Sequence, residues 1–356
     1  MTELKKKTAQ NAKSLAEAVV LLAVYSMAFV FSAQIKTGAI NSLSLCAKVI
    51  IPSVFPVMVI SNTLLLHGFP APLVRAASVP SKLFFGLSGN SAVCMLFGLT
   101  GGYPVGVKTA RLMYAQKLIS ADEAKRICLT AVSPGLSFTI TVCSAFFSSA
   151  AAGLTLFFSC LAANVAIGTA IKIICGKPKA KNADTAEAMT ISEAFLSAVE
   201  KSTAAVISVC SFIIVFSSAV ALSGSFLPTG VNEAVKLISE VTAGVQFAAE
   251  KRNIIIAAFL CGFGGISVAV QLLPDLKALG IRAYSFLLCR AATGFFAALF
   301  EFVTVTAFKL SFPVTRIYTG QLFSNTFSGS LFLFGTALML IVTSLDSGIH
   351  PRNSSL

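Results

Sequence analysis

Leu99-Thr100-Gly101-Gly102-Tyr103-Pro104-Val105-Gly106-Val107-Lys108 interrupts one apolar run, and Gly262-Phe263-Gly264-Gly265-Ile266-Ser267-Val268-Ala269-Val270-Gln271 interrupts another. Four of the ten aligned positions are identical: the two glycines of each pair and the valines three and five residues beyond them. A glycine-broken membrane segment present twice is how many transporters build a binding site near the bilayer midplane. A backbone that leaves the helix inside a membrane exposes amides and carbonyls, which only protein, water or a solute can satisfy. Paired glycines allow the sharp turn and a close approach by a ligand, and the amides freed at the start of the next helix suit an anion. Glycine pairs also let helices pack closely. The duplication, with Pro104 in one copy and the polar Ser267 in the other, favours the binding reading over the packing one.

Composition sets the class. Of the 356 residues 56% are hydrophobic and 12% charged, and the mean hydropathy is +0.86; a soluble domain carries about a quarter charged residues. The chain reads as an all-α polytopic membrane protein in contact with a lipid bilayer. The uncharged run from Ile127 to Ile171 exceeds the roughly 20 residues of one span and holds two. The net charge of +13 falls in short loops, with Lys5, Lys6, Lys7 and Lys13 before the first span and Lys172, Lys177, Lys179 and Lys181 at the centre. That is the positive-inside distribution, not the basic face of a nucleic-acid-binding protein. The nine cysteines, from Cys46 to Cys289, lie singly in apolar stretches as packing residues, without zinc or redox spacing. Leu15 to Ala33 is too long for a signal-peptide core and stays as a span. His67 and His350 sit near a span end and in the tail, with no nucleophile and base arranged around them. No enzyme activity, metal or cofactor is therefore expected.

The same charge rule predicts a topology. An N-terminal tail and span cover 1–36. A first repeat, 43–175, opens with Leu43 to Leu66, bent by Pro52 and Pro56. It continues with a re-entrant hairpin that turns at Gly101 and Gly102, and ends with two spans after an N-cap at Ser120 followed by Asp122 and Glu123. A basic linker spans 176–202. The second repeat, 203–345, holds Thr203 to Leu222, an external loop from Glu233 to Arg252, a second hairpin from Asn253 to Pro274, then Tyr284 to Phe308 and Tyr318 to Ser344. A tail, 346–356, follows. Three spans and one hairpin per repeat invert the second copy relative to the first, and the lone first span is an extra.

Several polar residues stand out. Glu240 and Thr242, with Gln246 nearby, precede the second glycine break; a carboxylate near the membrane faces a cavity or partner by default. The alternative is an amphipathic surface helix carrying Glu233, Lys236 and Glu240. Lys108 and Gln271 occupy matched places past each break, where Lys108 suits an anionic group or else snorkels to the surface. Ser133, Pro134 and Gly135 interrupt another span. Arg290 and Glu301 flank one span, as a charge pair or as loop-end residues.

The ordered set of Gly101 to Lys108, Glu240 to Gly244 and Gly262 to Gln271, with the proline-flanked Ile51-Pro52-Ser53-Val54-Phe55-Pro56 before them, resembles the YlbJ/SpoVV sporulation integral membrane proteins. The resemblance runs from about Val49 to Phe308. Thr130-Ala131-Val132-Ser133-Pro134-Gly135 departs from the asparagine-rich stretch of that family. The resemblance implies a nucleoside-recognition (Gate) domain and a plan similar to concentrative nucleoside transporters. It further implies movement of dipicolinic acid across the outer forespore membrane, with alternating access around the breaks. A small organic anion would be the substrate, and the trimers of similarly built transporters leave a homo-oligomer as an open expectation. The candidate substrate-binding residues are Gly101, Gly102, Tyr103, Pro104, Lys108, Ser133, Glu240, Thr242, Gln246, Gly264, Gly265, Ser267 and Gln271. A nucleoside would lean on Glu240, Thr242 and Gln246; a non-transporting envelope scaffold would use the hairpins for packing.

Overall fold

The computed structural model describes residues 2–178 and 189–312, and every element among them is a helix or a turn. The expected span Tyr318 to Ser344, His350, the tail and most of the basic linker lie outside the described residues. Five helical segments are long and apolar enough to cross a membrane, or six with one bent pair, which bears out an all-α polytopic membrane protein.

The first half begins with α1 (Thr2–Val30), whose apolar stretch Gln10–Val30 is wholly unburied and forms the extra N-terminal span. Next, α2 (Ser32–Leu45) runs through a π-turn at Cys46–Ile50 into α3 (Ile51–His67), and the pair bends by 53°. Pro52 and Pro56 explain the bend, since neither has an N–H to give and Pro56 sits inside α3. α4 (Ala71–Phe84) carries Arg75 and Lys82 and packs on the helices that follow.

α5 (Asn90–Gly101) and α6 (Tyr103–Ala115) form the first hairpin. Gly98 and Gly106 meet across it, so that a Cβ on Gly98 would lie 2.8 Å from the Gly106 Cα, with Gly102 at the tip between them. α7 (Ala121–Thr130) starts where the sequence predicts. Ser120 Oγ accepts from the Glu123 amide at 3.1 Å and Glu123 Oε2 accepts from the Ser120 amide at 2.8 Å. The backbone leaves the helix over 131–135 and resumes through α8 (Leu136–Phe138), a π-turn at Thr139–Cys143 and α9 (Ser144–Phe146). α10 (Ala150–Cys175) closes the half.

The second half comprises α11 (Ile191–Ser223), α12 (Thr229–Ser239), α13 (Val241–Glu250), α14 (Ile254–Phe263), α15 (Gly265–Ala278) and α16 (Ala283–Phe308). Here the hairpin is displaced from its expected place. α12 and α13 fold back on each other, with Gly244 against the Leu237 carbonyl and Glu240 at the tip. The stretch expected as an external loop is thus a hairpin, with Glu240 at its tip, Glu233 and Lys236 on its first limb, and Lys251 Nζ meeting Glu233 Oε1 at 3.4 Å toward its open end. Asn253 to Pro274 is not a hairpin: α14 and α15 form one broken segment of membrane-spanning length, Ile254–Ala278. A glycine pair permits a break without dictating the direction in which the next helix leaves. The two glycine-pair motifs therefore do different jobs, one at a hairpin tip and one inside a span, so Lys108 and Gln271 are not counterparts.

Each half nevertheless contains three long segments and one hairpin, and the second set is complete by Phe308. The halves meet along antiparallel pairs. Ser159 and Asn164 of α10 face Glu301 and Arg290 of α16, and Cys46 and Asn62 on the bent pair face Cys210 and Ser202 of α11. The matching elements of the two halves thus run in opposite directions.

Candidate functional site

Four helix interruptions converge. Gly135, in the break after α7, has φ +75°, and a Cβ there would lie 2.7 Å from the Gly102 nitrogen and 3.1 Å from the Gly101 carbonyl carbon. Gly265 repeats the arrangement in the second half: its φ is +79°, and a Cβ would lie 3.1 Å from the Val241 nitrogen and 3.3 Å from the Glu240 Cα. In each half, then, a hairpin tip seats in the break of the following segment. Only glycine allows both the left-handed backbone and the close approach. Tyr103 joins the halves, its hydroxyl donating to the Cys261 carbonyl at 2.8 Å and its ring lying against Gly264, whose φ is +87°.

The structure thus brings Gly101, Gly102, Tyr103, Glu240, Gly264 and Gly265 together. Pro104 and Ser267 are buried in the first turns of α6 and α15, beside the breaks. Glu240 is 2% exposed, and its carboxylate caps α13 by accepting from the Ala243 amide at 2.8 Å and from Thr242 Oγ1 at 3.0 Å. Its extended backbone (φ −143°) ends α12, so it does not continue a surface helix with Glu233 and Lys236. Ser133 Oγ, in the first break, and Gln271 Nε2, two turns past the second, are buried without a hydrogen-bond partner among the described residues. Buried polar atoms are normally satisfied, so both are open to a solute or water. Gln246 is not brought in: it stands on the exposed side of α13 and donates to Glu250 Oε1 at 3.3 Å. Lys108 is half-buried on α6 and lines a separate cavity between helices.

Arg290 governs the second break. The residue is 1% exposed, and its guanidinium donates to the carbonyl oxygens of Gly262 and Phe263, the latter at 3.3 Å, and to Asn164 Oδ1 at 3.5 Å. Those carbonyls are left unpaired where α14 stops, and a cation there also opposes the negative end of its dipole. Arg290 is neither a loop-end residue nor paired with Glu301, which stands three turns, about 16 Å, further along α16. Glu301 is fully buried and accepts from Ser159 Oγ at 2.7 Å. The N-termini of α6, α13 and α15 all begin at the convergence, and that of α13 is already capped by the Glu240 carboxylate.

Sporulation integral membrane protein YlbJ of Bacillus subtilis (strain 168) is 27% identical to the chain over 316 residues, which takes in 74% of this chain and 75% of that protein. Over about three quarters of its length the chain is therefore similar to a sporulation integral membrane protein. No family model and no solved structure matches it. The motifs that carry the YlbJ-family resemblance fall on the irregular parts of the fold. Ile51 to Pro56 makes the bend into α3, Gly101 to Lys108 and Glu240 to Gly244 make the hairpin tips and the limbs that follow, and Gly262 to Gln271 makes the second break. Thr130 to Gly135, where the chain departs from the YlbJ pattern, forms the first break. The sequence reading missed Asn164 and Cys261 as partners at the site. Asn164 carries a signal in retrospect, as the one asparagine in the long, mostly apolar α10.

Proposed function

We propose that the chain is a transporter of the sporulating cell that moves dipicolinic acid across the outer forespore membrane by alternating access. It is not an enzyme on this reading, and its partners are the substrate, the bilayer and, by analogy of plan, further copies of itself. The carrying observation is the convergence of two hairpin tips and two span breaks from halves that run in opposite directions. Transporters place solutes at such repeat interfaces because the backbone there is free to bind. A small aromatic dianion would meet the amide-bearing helix starts and the Arg290 charge. The similarity to a sporulation integral membrane protein of Bacillus subtilis supports the cellular setting. The nucleoside reading has less support, because Gln246, one of its three hydrogen-bonding residues, points to the exposed side of α13.

Uptake of labelled dipicolinate into liposomes carrying the purified chain tests this, with Glu240→Ala beside it and uridine as competitor. The expected result is saturable uptake indifferent to uridine and at least about tenfold slower in Glu240→Ala, whose α13 cap is worth about 1 kcal/mol. Competition by uridine would transfer the proposal to nucleosides. No flux of either solute through folded protein would leave the scaffold reading.

A further inference from the structure

Glu301 is a buried acid that the convergence of breaks does not use. It lies in α16 seven residues, about 10 Å, before that helix ends at Phe308, and its side chain is fully buried. Its two oxygens differ. Oε2 accepts from Ser159 Oγ of α10 at 2.7 Å, whereas Oε1 is buried without a hydrogen-bond partner among the described residues. Thr155, one turn before Ser159 on α10, gives its own hydroxyl to the Ala152 carbonyl at 3.1 Å. The titratable groups that face Glu301 from the helices packed on α16 are Cys160 of α10 and Cys261 of α14, both fully buried thiols. The remaining charges stand at the other end of α16. There α7 meets it at Cys289, whose Sγ donates to the Leu129 carbonyl at 3.1 Å, and Asp275 and Lys277 of α15 precede the turn into it. On α16 itself Arg290 is about 16 Å away. An ionised carboxylate shut off from water is costly unless a cation or several donors compensate it, and Ser159 alone does not. A bound proton removes the cost, and Oε1 is the oxygen free to take it. A hard metal ion would need about six oxygens, and among the described residues no three His, Cys, Asp or Glu side chains come together to hold one.

We propose that Glu301 is a proton-binding site, filled while α10 and α16 are packed together and emptied when they part. On release the Oε1–H bond breaks, the proton passes to water, and the charge stays on the carboxylate, which keeps the helices from closing until a proton returns. Ionisable groups inside membrane spans mark proton relays in pumps and transporters. The same helix pair reaches the second break. Glu301 meets Ser159 at one level, while Arg290 meets Asn164 at the other and holds the Phe263 carbonyl where α14 stops. A shift of α16 against α10 that wets Glu301 therefore also moves the guanidinium that fastens the break. Solute movement thereby acquires a driving force, the flow of protons. That consequence rests on the transport reading, whereas the site itself does not.

Infrared spectroscopy of the full chain in nanodiscs tests the site, with glutamate labelled at its carboxyl carbon and the Glu301→Gln spectrum subtracted so that the other glutamates cancel. Glu301→Gln keeps the shape and neutrality of the protonated acid, and gel filtration establishes that each variant is folded. At neutral pH the difference should hold the carbonyl stretch of a protonated carboxyl. Ser159→Ala should shift that stretch by removing the hydroxyl on Oε2, a signature that a residue serving only to pack would not give. A carboxylate signal from Glu301, or a stretch indifferent to Ser159→Ala, overturns the site. Liposome uptake of labelled dipicolinate separates it from the transport reading. With the membrane potential clamped by potassium and valinomycin, a pH step of about one unit, acidic outside, should drive about tenfold accumulation by the wild-type chain if one proton moves with each solute. Glu301→Gln should equilibrate the solute without accumulating it. Equal behaviour of the two chains, with or without accumulation, overturns the release of the proton and leaves transport standing. The carboxyl stretch in a chain that moves no solute upholds the site and sinks the transport reading.

Discussion

Gly135 and Gly68 both have positive φ, yet they separate strain from crowding. Nothing lies within 4 Å of a Cβ placed on Gly68, whereas one on Gly135 would meet the backbone of Gly101 and Gly102. Gly68→Ala should therefore cost about 1–3 kcal/mol of backbone strain alone. Gly135→Ala should cost clearly more, because the first hairpin tip must move, and thermal unfolding in detergent would rank the two. Tyr103→Phe removes a single hydroxyl and orphans the Cys261 carbonyl, so about 1 kcal/mol is expected from the same measurement. Uptake should fall further than that stability change accounts for, since this contact links the two halves at the breaks. At this scale the sequence was informative about residues and silent about partners. Gly101, Gly102, Gly264 and Gly265 announce themselves as a pattern, but nothing in the chain says that Tyr103 reaches Cys261 across 158 positions. Long-range pairing is a property of the folded shape.

Between elements, the decisive contact is Arg290 of α16 on the end of α14. Arg290→Met should leave the Gly262 and Phe263 carbonyls and Asn164 Oδ1 without a donor, at about 1–3 kcal/mol for each buried group that stays unsatisfied. Arg290→Lys keeps the charge but lacks the planar fork that reaches several acceptors, so its melting temperature should fall between those of the wild-type chain and Arg290→Met. Helix capping and proline bends were legible beforehand, as Ser120 with Glu123 and Pro52 with Pro56 demonstrate. The second hairpin was not. Its limbs are short and charged, with Glu233 and Lys236 on the first, Glu240 at the tip and Glu250, Lys251 and Arg252 at the far end of the second, so the segment from Glu233 to Arg252 has the composition of a loop. The glycine pair that follows looks like the turn itself. The difference lies in whether the helices flanking a break pack on each other or on α16, and that contact choice has no signature in local sequence.

For the molecule as a whole, the halves associate through α3 with α11, α6 with α15 and α10 with α16. Residues 1–178 and 189–356, expressed as two polypeptides in one cell, should therefore co-purify and recover uptake. Failure to associate would mean that the covalent connection, and not these faces, holds the halves together. Class and inversion were legible because hydropathy and lysine placement are summed over many residues, which averages out local ambiguity. The pairing of equivalent parts was not, since identity between the glycine motifs matched a hairpin tip to a span break. The seat of the first hairpin tip is tighter than that of the second, 2.7 Å against 3.1 Å from the glycine Cβ position to the nearest backbone nitrogen. For the proposed cycle, each half is a template for the pose its counterpart takes when the pathway opens to the other face. In the proposed cycle, an exchange of these two poses between the halves would reverse the face to which the pathway opens.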